Sequence, residues 1–165
     1  PNHDPNPLLE ENSREIRARV LAEKADLGIA WDGDADRCFF IDEAGEFVPG
    51  DFVTALLAEA LLLKNPGARI LYDLRASRAV PDVIRANGGV PLVNRVGHAF
   101  FKQRMRREGG LFGGEVSGHY YFAANHNADR QIERVAFCDK FFKFFRKFFH
   151  NSLSFQAHYN QKRTK

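Results

Sequence analysis

The chain has 165 residues, 44% of them apolar, with 24 Lys and Arg against 21 Asp and Glu. That length suits one domain, or one domain and part of another, with enough apolar content for a packed core. No apolar run nears the ~20 residues that span a bilayer, and the two cysteines, Cys38 and Cys138, lack metal-ligand spacing and imply no disulfide framework. The net charge of +3 is uneven: residues 1–122 hold 15 basic and 18 acidic residues, and residues 123–165 hold 9 and 3. The basic excess therefore belongs to the tail and gives no argument for nucleic-acid binding by the body. The polar, proline-rich opening lacks an initiator Met and a signal peptide, so the expectation is a chain that begins inside a larger, cytoplasmic protein.

Residues 8–25 are polar with apolar positions at Leu9, Ile16, Val20 and Leu21, and read as a surface helix. A strand follows at 27–31, then an acidic loop and a strand at 38–42. Glu43-Ala44-Gly45-Glu46 forms a hairpin turn into Phe47-Val48. An apolar helix is expected over 51–63, with Asp51 as its N-cap and Asn65-Pro66-Gly67 as its stop. Strands are expected at 69–72, 90–93, 111–112 and 119–122. Between them lie one helix capped by Ser77 and running to Ala86, and a basic helix from Gly97 to Gly109. Strand and helix alternating through short connections give an α/β fold: a mixed, mostly parallel sheet with flanking helices, followed by an amphipathic C-terminal helix.

The acidic loop reads Asp32-Gly33-Asp34-Ala35-Asp36-Arg37. Three carboxylates at alternate positions repel one another when ionised, and a hard divalent cation with oxygen ligands relieves that repulsion. Gly33 is expected to let the backbone bend so that they converge. Glu43 falls at position 12 of an EF-hand count, but Arg37 stands where the sharp turn needs Gly, and the flanks are strands. A metal site between two strands is the better reading.

The second motif is Gly113-Gly114-Glu115-Val116-Ser117-Gly118-His119. Alternation would place Glu115, Ser117 and His119 on one face of an extended segment. A carboxylate accepts hydrogen bonds from sugar hydroxyls, Ser donates or accepts, and imidazole can move a proton near neutral pH. A plain glycine-rich turn is the alternative. No Gly-Lys-Ser/Thr follows, which excludes a P-loop, and the sequence offers no third group to orient a Ser-His nucleophile pair. Arg95-Val96-Gly97-His98 opens the helix that carries Lys102, and suits either an anion at a helix N-terminus or an ordinary helix start.

Asp-Gly-Asp-Ala-Asp-Arg, Asp-Leu-Arg-Ala-Ser-Arg at 73–78, Arg-Val-Gly-His-Ala-Phe and Gly-Glu-Val-Ser-Gly-His occur in that order. Over about residues 1–122 the chain resembles the α-D-phosphohexomutase superfamily, close to bacterial phosphomannomutase/phosphoglucomutase. The resemblance implies Mg²⁺ held by Asp32, Asp34 and Asp36. It implies Arg37 facing the substrate and the transferred phosphoryl group, with His119 as the active-site histidine. Glu115 and Ser117 would read sugar hydroxyls, and Gly97, His98 and Arg75 would bind the substrate, a glucose or mannose phosphate. It also implies a four-domain protein, of which residues 1–48 are the end of the second domain and residues 49–122 most of the third. The family's phosphoserine loop, of Thr-Ala-Ser-His-Asn-Pro type, has no match around any of the serines at 13, 77, 117, 152 and 154. The isolated chain is therefore expected to lack turnover.

Residues 123–165 fall outside the resemblance and hold eight of the 16 Phe. On a helical wheel, Asp139, Lys140, Lys143, Arg146, Lys147 and His150 share one arc, and the Phe residues from 137 to 149 share the other. Such a helix packs its Phe face on the body or on a second copy, lies on a membrane surface, or is a non-native end left by a frameshift. Two functions follow: a mutase fragment with metal and sugar determinants, or a non-catalytic interaction module that uses the Phe-rich helix.

Overall fold

The computed structural model describes residues 4–123. The expected Phe-rich helix, with its self-association or membrane contact, lies outside them. A first helix, α1 (Glu10–Glu23), is shorter than the sequence span, because Asn6 holds the preceding turn with its side chain on the Leu8 amide. Lys24 ends it in a left-handed conformation. Next come β1 (Leu27–Trp31) and β2 (Cys38–Asp42), antiparallel with Leu27 opposite Asp42 and Trp31 opposite Cys38. The Asp42 carboxylate accepts the amides of Ala44 and Glu46 at 3.0 and 2.8 Å, closing the turn into β3 (Phe47–Val48). These strands form a three-stranded sheet in the order β1-β2-β3.

Pro49 leads directly into α2 (Gly50–Leu62), whose residues are buried on nearly every face, as a core helix requires. Asp51 is not its N-cap; Pro49 is, at φ −58° and ψ 142°, and no side chain caps the end. Asp51 lies inside the first turn, buried, with one carboxylate oxygen on the Phe52 amide and the other on the Ser77 amide at 3.1 Å. Ser77 likewise does not cap the next helix. Arg78 takes that place, and the Ser77 hydroxyl is buried without a hydrogen bond.

A second sheet is built from β4 (Arg69–Asp73), β5 (Val90–Asn94), β6 (Gly110–Gly114) and β7 (Tyr120–Phe122), in the order β5-β4-β6-β7. Strand β4 is parallel to both β5 and β6, and β7 returns antiparallel to β6, so this α/β sheet is mixed with a parallel centre. Helices α3 (Ala79–Ala86) and α4 (His98–Glu108) are its crossovers. Ile70 and Leu71 point to opposite faces. Ile70 joins α2 and α3, and Leu71 joins Phe101 and Met105 of α4, so helices cover both faces.

One core unites the two sheets. Cys38, Phe40 and Val48 of the first pack with Phe52, Val53 and Leu56 of α2, and these with Ile70 and Phe112 of the second. Full burial of a Val or Leu side chain contributes roughly 1.5–3 kcal/mol before ordering entropy is subtracted, and α2 places several there. Among the described residues no helix is long and apolar enough to cross a membrane.

Candidate functional site

Loops leaving the C-terminal ends of β4, β5 and β6 meet at one edge of the second sheet, where α/β folds place ligands. The acidic loop between β1 and β2 meets them from the other sheet. The Cys38 amide donates to the Gly118 carbonyl at 3.0 Å, stitching the start of β2 to the β6–β7 turn.

Within the acidic loop, Asp32 is buried while Asp34 and Asp36 are exposed. One oxygen from each lies within 4.8 Å of the others. Arg37 is bound back to Asp32, with its amide on Oδ1 at 3.1 Å and its Nε on Oδ2 at 2.5 Å. The left-handed residue that bends the loop is Ala35, at φ 61°, and not Gly33. Gly33 instead admits Pro5, whose Cγ would stand 3.1 Å from an added Cβ. Burial alone would raise the Asp32 carboxyl, but the Arg37 amide and guanidinium outweigh it and hold it below the usual carboxylate range. Asp36 is pushed up, first by burial and then by Asp32 and Asp34, with His119 pulling the other way. Three hard oxygen donors crowded with like charge fit a divalent cation.

The glycine-rich motif is a turn, not an extended segment. The Glu115 amide donates to the His119 carbonyl at 2.9 Å, and the Gly118 amide to the Glu115 carbonyl at 3.1 Å. Alternation therefore fails, because a turn reverses the chain before the side chains can share a face. Ser117 and His119 stay together, with Ser117 Oγ 3.0 Å from His119 Nδ1. Glu115 turns inward and is only 2% exposed. Its Oε2 accepts the Gly97 amide at 3.2 Å, and its Oε1 accepts the Tyr121 hydroxyl at 2.5 Å.

His119 Nε2 lies 3.3 Å from Asp36 Oδ2, 83 residues away in sequence. The third group that the sequence did not offer beside Ser117 and His119 is thus present. With Nε2–H directed to Asp36, Nδ1 is left to accept the Ser117 hydroxyl. Gly97 opens α4 at φ 119°, a conformation that side chains rarely adopt, and its amide is held by Glu115. The expected anion position at this helix start is thus partly filled by the chain's own carboxylate. Arg95 lies over the Phe100 ring at 3.6 Å from its centroid. His98 is exposed on the first turn of α4 and borders a broad groove that also includes Lys102, Arg106 and Arg107.

Arg75 is paired with Asp73, Nη2 to Oδ2 at 2.8 Å, an interaction that raises its pKa. Asp73 and Tyr121 escaped sequence reasoning. The signal for Asp73 was a carboxylate closing an apolar strand, Ile70-Leu71-Tyr72-Asp73, at the ligand-bearing end of a parallel sheet. Tyr121 gave none.

Residues 49–131 match the family described as phosphoglucomutase/phosphomannomutase, alpha/beta/alpha domain III. Residues 1–45 match alpha/beta/alpha domain II of the same description. The phosphomannomutase of Escherichia coli (strain K12) is 52% identical over 122 residues, 74% of this chain and 27% of that protein. A protein named for phosphohexose mutases from Xanthomonas campestris pv. campestris (strain B100) is 46% identical over 130 residues, 78% of this chain and 29% of that one. The crystal structure of a phosphoglucomutase/phosphomannomutase family protein from Burkholderia thailandensis superposes with a TM-score of 0.76 at 36% identity, over 80% of this chain and 29% of that one. The chain spans about a quarter of the length of the curated relatives it matches.

Proposed function

We propose that this chain, which belongs to the phosphoglucomutase/phosphomannomutase family, supplies the metal-holding and sugar-reading parts of a hexose-phosphate mutase. The observation that carries this is the 3.3 Å approach of His119 to Asp36, which makes the acidic loop and the glycine-rich turn one site. Residues 1–48 are then the end of the second domain and residues 49–122 most of the third, in a cytoplasmic enzyme. Residues 132–165 lie beyond the match to the third domain.

In this reading Asp32, Asp34 and Asp36 hold Mg²⁺, which neutralises charge on a phosphoryl oxygen when bound. Arg37 faces the phosphoryl group; a guanidinium has five N–H donors, and the pair with Asp32 uses one. Ser117 and His119 meet the sugar ring, with His119 oriented by Asp36. Glu115 reads a sugar hydroxyl through lone pairs that Gly97 and Tyr121 leave, since a carboxylate has about four acceptor positions. Gly97 and His98 close the far side of the sugar, and Arg75 meets the phosphate. The substrate is a glucose or mannose phosphate. Phosphoryl transfer needs a nucleophile to carry the group, and no serine of residues 1–165 sits in a phosphoserine-type loop. The chain alone therefore binds without turning over.

Titration calorimetry with mannose 6-phosphate in the presence of Mg²⁺ tests the reading. Binding in the millimolar range is expected, about 4 kcal/mol, weakened by Ser117→Ala. Absence of binding at about 10 mM sugar phosphate removes the reading.

A further inference from the structure

The β4–α3 loop and the β6–β7 turn carry Arg75 and Ser117 on separate segments of chain, yet one buried group joins them. Asp73, the last residue of β4, is fully buried. Its Oδ1 accepts the Arg75 amide at 2.7 Å. Its Oδ2 accepts both Arg75 Nη2 and the amide of Val116 at 2.8 Å, and Val116 lies 43 residues further on, between Glu115 and Ser117. Arg75 is 44% exposed at its side chain, so its ion pair alone would contribute little. The acceptor end is different. A buried carboxylate that loses a backbone donor is left unsatisfied, which makes this arrangement stiff. A guanidinium held at one edge also presents its other edge in a fixed direction.

We propose that Asp73 is the positioning residue of the site: it fixes Arg75 and the Glu115–His119 turn relative to each other, so that a phosphate and the sugar ring bearing it meet a preset spacing. The sugar-phosphate half of this statement rests on the reading given under Proposed function. Asp73 touches no ligand in this role and acts through Val116 and Arg75. It differs from Asp51, which holds the Ser77 amide and reaches neither Arg75 nor the turn through any hydrogen bond described.

Amide hydrogen exchange on the full chain tests the clamp directly. In the wild type the Val116 amide is expected to exchange slowly, and a Val116 amide exchanging at the rate of an open loop overturns the proposal with no variant needed. In Asp73→Asn the Val116 amide should exchange about tenfold faster while the Ser77 amide keeps its rate, since its acceptor is untouched. The Kd for mannose 6-phosphate should rise about tenfold, and a double change with Arg75→Ala should lose less than the product of the single losses. A lower melting temperature with both Val116 exchange and Kd unchanged assigns Asp73 to stability alone and overturns the proposal. If the wild type binds no mannose 6-phosphate, the hexose-phosphate reading falls, and Val116 exchange by itself decides whether Asp73 clamps the two loops.

Discussion

The two halves of the site are held in different ways. The acidic loop is a hairpin feature: Asp32 and Arg37, five residues apart, fasten it through two hydrogen bonds, and β1 and β2 pair on either side. The rim of the second sheet closes its 115–119 turn locally, with the Glu115 amide on the His119 carbonyl, and adds ties between separate loops. Its loops at 74–78, 95–97 and 115–119 are tied by Asp73 to Val116 and by Glu115 to Gly97, across 43 and 18 residues. A local loop keeps its shape when its neighbours move. A rim built from buried carboxylates keeps its shape only while every partner is in place. The first suits a cation site, which needs convergent oxygens, and the second suits recognition of a ligand with several polar groups at set distances.

That contrast can be broken at α2, which underlies both halves. Leu56 is fully buried in the core shared by the two sheets. Leu56→Ala should destabilise the chain by about 2–5 kcal/mol and melt both halves in one transition. Two separate transitions, followed by Trp31 fluorescence for the first sheet and amide signals for the second, would show independent units.

The next effect sharpens it. Glu115→Ala leaves the Gly97 amide and the Tyr121 hydroxyl without their acceptor. The expected cost is about 1–3 kcal/mol, with faster exchange at Gly97 and no change in Mg²⁺ affinity. A weakened Mg²⁺ site in this variant would mean that the two halves are not separately held.

The reverse change is Asp34→Ala. Asp34 is exposed and takes part in no hydrogen bond or ion pair described, so stability should hold. Mg²⁺ affinity should fall at least about tenfold, roughly 1.4 kcal/mol, by calorimetry. Equal heats for both proteins would remove the metal assignment.

The smallest effect belongs to the bridge. His119→Ala removes the partly exposed contact to Asp36, and a loss of only about 0.5–1 kcal/mol is expected. The backbone bond from Cys38 to Gly118 stays, so the loops remain adjacent. A larger loss by thermal melting would show that the side chain, and not the backbone, joins the halves.

The sequence by itself determined the elements and their order, because strand and helix periodicity, the Asn65-Pro66-Gly67 stop and the short connections are local properties. It also determined the acidic trio, since three alternating carboxylates within five residues converge under their own chain constraints. Only the tertiary structure decided the rest. Glu115 was expected beside Ser117 and His119, but it faces inward because a turn forms there and the Gly97 amide and Tyr121 hydroxyl need an acceptor. Asp51 and Ser77 were expected to cap helices, but Asp51 is drawn into the core to hold the Ser77 amide. Asp36 reaches His119, and Asp73 reaches Val116, across 83 and 43 residues. No periodicity records such pairs. A buried polar group takes whichever partner the packed core brings within about 3 Å, and that choice is made by the whole fold at once.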